Sequence, residues 1–224
     1  DKIVRSDAGL LSPVAWKHPD GTLTSALEGA IFVTGSAVQW LRDGLGLIEN
    51  ASETEDLANS VPNSAGVVFV PALTGLGAPD WDPNARGAIF GLTRGATRAH
   101  VVRATLEAIA FAVRDVVDVM VNEADVELPR LTVDGGAAAN NFLCQGQADQ
   151  ARVPVVRSEI LETTGLGAAF LAGLGTGFWP NKEELAKSWR SDRTFEPGDR
   201  DEQAHRRWRV AVERTKNWAT AASK

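Results

Sequence analysis

"VDGGAAANN", residues 133–141, packs an acid, two glycines, three alanines and two asparagines into nine positions. The apolar stretch before it, "RLTV", reads as a strand, and a helical pattern rises from near Asn140. Gly135 and Gly136 are free to take dihedrals closed to other residues and to expose backbone N–H groups. A helix beginning after such a turn presents unpaired N–H groups and a positive dipole end, which suits an anion such as a phosphate. Ala137 to Ala139 keep bulk away, and Asn140 and Asn141 serve as caps or as donor and acceptor to a ligand. The same residues also fit a strand-helix turn with no ligand. No Lys-Ser/Thr pair follows the glycines and no dinucleotide fingerprint is present, so the turn alone identifies no nucleotide.

A second position bears on that choice. A helical pattern runs through "LEGAIFVTGSAVQWLRDGLGLI", residues 27–48, with Ile31, Thr34, Val38, Leu41 and Leu45 on one stripe. Gly35 falls inside it, where glycine costs about 1 kcal/mol relative to alanine. Gln39 lies four residues on, over the same face. A bare patch beside an amide suits a purine or ribose; spacing alone favours helix-helix contact through Gly35.

Around these stretches strands and helices alternate, which indicates an α/β domain with a mostly central sheet. "LLSPVAWKHPDGTLTSAL" reads as a hairpin turning at Pro19-Asp20-Gly21. "GVVFVPAL" is a short buried strand, and residues 74–95 form a long loop rich in Gly, Pro and Asp. "TRAHVVRATLEAIAFAVRDVVDVM" is a helix with Val102, Leu106, Ile109, Val113, Val116 and Met120 on its apolar stripe and Thr97 as N-cap. "VPVVR" is a strand, and "TTGLGAAFLAGLG" is a helix of small residues. The final helix, "DEQAHRRWRVAVERTKNW", carries Trp208, Val212, Thr215 and Trp218 on one side. Arg206, Arg207 and Arg209 read as its solvated face.

Composition narrows the function classes. The 224 residues carry a net charge of −6, which offers no basic face for nucleic acid. Cys144 is the single cysteine, so no internal disulfide forms, in keeping with a reducing cytosol. No cysteine or histidine cluster has metal-site spacing. Residues 163–181 are uncharged, but their glycines and Pro180 argue against a membrane span. The N-terminus lacks a signal-peptide pattern. Its first residues read as strand, so the expectation is a chain that begins mid-protein.

Four stretches together, residues 26–48, 70–111, 133–149 and 153–174, resemble the C-terminal half of the glycerol kinases within the FGGY carbohydrate kinases. The resemblance runs from about Leu10 to Trp218. It implies an actin-like ATPase (RNase H-like) α/β fold, with a mixed central sheet flanked by helices. It implies that residues 1–224 are the C-terminal nucleotide-binding domain of a two-domain kinase that makes glycerol 3-phosphate from glycerol and ATP with Mg²⁺. Gly35, Gln39, Gly136 and Asn140 match the family's nucleotide contacts. The phosphate loop, glycerol pocket and general base of the family belong to the other half, so no catalytic or metal-binding residue is expected here. Asp80 and Asp82 are expected to structure their loop or an interface, with Trp81 as a possible anchor. The small-residue helix, with Gly165, Ala169 and Gly173 every four residues, is expected to pack closely. The implied enzyme is cytoplasmic and homo-oligomeric, with no membrane or nucleic-acid partner. A kinase for another polyol or sugar, or a non-catalytic actin-like module, remains as an alternative.

Overall fold

The computed structural model describes residues 5–17, 21–125 and 127–221. Strands β1 (Val14–Lys17) and β2 (Leu23–Ser25) pair antiparallel, as expected of the hairpin; Pro19 and Asp20 of its turn lie outside the described residues. Helix α1 spans only Gly35–Asp43. Residues 27–34 were expected to be helical, but their backbone is spent elsewhere. Glu28 and Leu11 exchange N–H···O bonds of 2.9 and 2.8 Å, and the Ala78 N–H donates to Ala30 O at 2.9 Å. Those remote partners satisfy the segment in an extended form, so the helix begins only past Thr34.

Helix α2 is Glu53–Asn59. Strand β3 (Val68–Val70) pairs antiparallel with β4 (Ala88–Phe90). The long loop is therefore interrupted by a strand that three residues between Gly87 and Gly91 do not announce. Helix α3, Arg98–Ala124, is the spine of the domain. Val102, Leu106, Ile109 and Val116 of its stripe are buried, while Val113 and Met120 are half-buried. Thr97 caps it: His100 Nδ1 accepts the Thr97 N–H at 3.1 Å and lies 2.8 Å from the Thr97 hydroxyl.

Strand β5 (Leu131–Val133), a 3₁₀ turn (Gly136–Ala139), α4 (Asn141–Ala151) and β6 (Val155–Ser158) follow. β5 and β6 are parallel. Beyond α5 (Thr163–Gly175) and α6 (Lys182–Ala186), β7 (Ser191–Phe195) pairs antiparallel with β6. Among the described residues the mixed sheet is thus three short strands, and the other strands form two separate ribbons. Its core is Cys144 and Ala148 of α4 packed on Val155 and Phe195.

Helix α7, Glu202–Thr215, buries Trp208, Val212 and Thr215 as expected. Trp218 starts a separate short helix, α8 (Trp218–Ala221), and is 62% exposed, because Asn217 at φ +56° breaks the register. The expectation for α5 fails more broadly. Among its described residues none is buried, and a Cβ at Gly165 would meet nothing within 4 Å. Only Gly173 is tightly packed, against Trp179.

Arg209 is not on a solvated face. Its Nη1 donates to Asp80 and Asp115 at 2.8 and 2.9 Å, and Lys216 Nζ joins Asp80 at 2.8 Å. Burial by itself would raise the Asp80 pKa; hydrogen bonds from Arg209 and Lys216 outweigh it and hold the carboxyl below its ordinary value. The pair stabilises the fold above the ordinary carboxylate pKa of about 3.9, and the contribution is lost as pH falls through the lower folded value. Asp80→Asn is expected to reduce the unfolding free energy by about 2 kcal/mol at pH 7 and by less at pH 3. Denaturant unfolding at the two pH values checks this.

Candidate functional site

The two glycines after β5 do different things. Gly135 sits at φ +79°, ψ 169°, a region essentially reserved for glycine, and its N–H donates to Leu161 O at 2.9 Å. That N–H is not free for a ligand. Gly136 has no positive φ; a Cβ there would meet nothing within 4 Å, so what its missing side chain leaves is open space. The 3₁₀ turn Gly136–Ala139 leads into α4, whose start at Asn141 agrees with a helix rising from near Asn140.

Asn140 is the N-cap of α4. Its Oδ1 accepts the Leu143 N–H at 2.8 Å, and its Nδ2 donates to Thr54 Oγ1 at 2.9 Å. Thr54 is 1% exposed and donates its own hydroxyl to Ala51 O at 2.6 Å. Glu55 next to it accepts the Asn141 backbone N–H at 2.7 Å and the Asn141 side-chain amide at 2.9 Å. Helix α2 therefore grips the end of the turn. Thr54 and Glu55 were not singled out from sequence, although the run "SETED" carries the acids expected in a first helical turn.

Gly35 is the first residue of α1, not an interior one, so no helix-propensity cost needs offsetting. A Cβ added to it would lie 3.7 Å from Ala137 Cβ, an ordinary contact. The start of α1 thus approaches the glycine turn. Gln39 is exposed one turn along α1.

Gly35, Gln39, Gly136 and Asn140 all line one cavity of about 780 Å³, together with Thr54 and Glu55. That volume suits a nucleotide-sized ligand, since small-molecule sites run from roughly 300 to 1,000 Å³. The sequence positions span 35 to 140, and α1, α2 and the 133–141 turn carry them to one place. Asp80 and Asp82 lie elsewhere and structure their loop. Asp82 accepts the Asn84 N–H at 2.8 Å and the Asn217 N–H at 2.6 Å. Trp81 stands edge-on to Phe32 at 5.8 Å, with its Nε1–H donated to Gly9 O. Among the described residues, no group of three or more His, Cys, Asp or Glu is placed to hold a metal ion. No helix among them is long and apolar enough to cross a membrane.

A glycine turn after a parallel strand faces a second helix start across this cavity, and sequence comparison gives the chain's class. The chain belongs to the FGGY family of carbohydrate kinases, residues 1–176 matching that family's C-terminal domain. It is similar to glycerol kinase 2 of Thermotoga maritima, 54% identical over 221 residues that make up 97% of this chain and 44% of the relative. The glycerol kinase of Aromatoleum aromaticum is 57% identical over 221 residues, again 97% and 44%. The crystal structure of Plasmodium falciparum glycerol kinase with ADP superposes with a TM-score of 0.84 at 36% identity, over 96% of this chain and 43% of that one. A xylulose kinase from Lactobacillus acidophilus, at 23% identity and a TM-score of 0.70 over 96% and 42%, shares the fold. The fold is the actin-like ATPase fold. The chain spans less than half the length of the curated relatives it matches.

Proposed function

We propose that this domain binds the ADP portion of ATP in an enzyme that phosphorylates glycerol to glycerol 3-phosphate. The observation that carries the reading is the convergence of Gly35, Gln39, Gly136 and Asn140 on one cavity. Its supports are the similarity to glycerol kinases and to a glycerol kinase structure bearing ADP. Gly136 leaves room for the ligand, Gln39 offers an exposed amide, and Asn140 is held rigid by its own hydrogen bonds.

The proposed domain is residues 1–224 as one unit. Beyond the family match at 176, Trp208 and Val212 of α7 enter the core with Val68 and Val70, and Trp208 Nε1 donates to Phe69 O at 3.2 Å. In-line transfer from ATP needs a carboxylate to take the glycerol proton and donors around the moving phosphoryl group. We place these, with the glycerol pocket, on a second lobe across the cavity. The Mg²⁺ that accompanies ATP would be held mainly by the nucleotide and the second lobe. The proposed enzyme is cytoplasmic and a homo-oligomer.

The test is a coupled assay of the two-lobed enzyme with ATP and a panel of polyols and ketoses. Glycerol is expected to give the highest kcat/KM. A higher value for xylulose or another sugar would overturn the substrate and leave the kinase class standing.

A further inference from the structure

Arg157 lies on β6, and its side chain is only 12% exposed. Its Nη1 donates to Ala138 O at 3.0 Å, Ala139 O at 3.2 Å and Asn141 Oδ1 at 3.1 Å. Its Nε donates to Asp192 on β7 at 2.7 Å. The Cys144 thiol also donates to Ala138 O, at 3.2 Å. Asn141 is thus held from two sides, by Arg157 at its side-chain Oδ1 and by Glu55 at its backbone N–H and its side-chain amide. Neither Arg157 nor Asn141 lines the 780 Å³ cavity, whereas their neighbours Gly136 and Asn140 do.

We propose that Arg157 is a positioning residue of the nucleotide site, fixing the 136–141 turn through the Ala138 and Ala139 carbonyls. The inference rests on reading the cavity as that site. Thr54 and Glu55 hold the C-terminal end of the turn, and the carbonyls of Ala138 and Ala139 before it are held by Arg157. A planar guanidinium presents its N–H groups in a fixed fork, so it holds several oxygens in one geometry at a small entropic cost. A lysine ammonium in its place keeps the charge near Asp192 but loses the fork. Ligand groups held loosely by a mobile turn bind weakly even when every contacting residue is present.

The test uses Arg157→Lys and Arg157→Met in the intact two-lobed kinase, with Gly136→Val as reference. Kd for ADP and KM for ATP are expected to rise about tenfold in Arg157→Lys and further in Arg157→Met, with KM for glycerol unchanged. If Arg157→Met does not fold, Arg157→Lys alone decides. A lower melting temperature with both KM values unmoved would overturn the proposal, since that is what a purely structural ion pair would show. Should Gly136→Val weaken ADP binding while Arg157→Lys does not, only the positioning role falls. Unchanged ADP affinity in Gly136→Val would remove the nucleotide reading and this inference together.

Discussion

Purified alone, the 224-residue chain is expected to make no glycerol 3-phosphate above the uncatalysed background. The residues that line the cavity come from one lobe, and the proposed base lies on the other. Glu55 is committed to Asn141, and Thr54 to Asn140 and Ala51. Phosphoryl transfer is catalysed almost entirely by positioning and electrostatic stabilisation. Holding reactants in a near-attack geometry is worth effective molarities of about 10⁵–10⁸ M. Removing the wall that would hold glycerol forfeits that factor as a whole, so a loss of at least about 10⁴-fold in kcat is expected. ADP binding should persist in weakened form. A coupled assay with ATP, Mg²⁺ and glycerol measures the rate. Turnover of roughly 1–100 s⁻¹, the ordinary kinase range, would place a base within this chain. Asp134 would then be the first residue to substitute, because it lines the cavity whereas Asp80 and Asp82 are tied into their loop.

Gly136→Val is expected to raise the Kd for ADP about 100-fold, near 2.7 kcal/mol, with little change in melting temperature. The two halves of that expectation have separate causes. A Cβ at Gly136 would meet no atom within 4 Å, and its φ is not positive, so the folded chain accepts a side chain there. Gly136 lines the cavity, so valine is expected to compete with the ligand and not with the protein. Gly135→Ala is the contrasting case. Its φ of +79° and ψ of 169° put a Cβ in a strained conformation costing about 1–3 kcal/mol, so it should lower the melting temperature. Calorimetric ADP titration and thermal unfolding of both variants separate the effects. A Gly136→Val protein that binds ADP normally would show that this turn does not meet the nucleotide.

Much of this site is legible in the chain. The order strand, glycine turn, capped helix at 131–151 follows from local chemistry. β-branched residues, then residues without bulk, then an asparagine fit no other local plan as well, and Asn140 does cap α4. The Thr97 cap and the buried stripe of α3 follow likewise from short-range periodicity. That Gly35, Gln39, Gly136 and Asn140 belong together comes from the family resemblance, because glycines by themselves fit a bare turn equally well.

What the tertiary structure alone decided is where remote partners overrule local pattern. Helix α1 begins at Gly35 because Leu11 and Ala78 claim the backbone of residues 28–30, and periodicity records which side chains suit a helix, not which distant backbone groups compete for its hydrogen bonds. Arg209 looks like a surface residue in the sequence, but loop 74–95 delivers Asp80 against it. Thr54, Glu55 and Arg157 read as an ordinary helix start and a charged strand residue until folding brings α2 and β6 against the same turn. Local propensity depends on neighbours along the chain and is fixed by the sequence near each residue. The cavity is the space left between elements up to about a hundred residues apart, and that space exists only once long-range contacts have placed them.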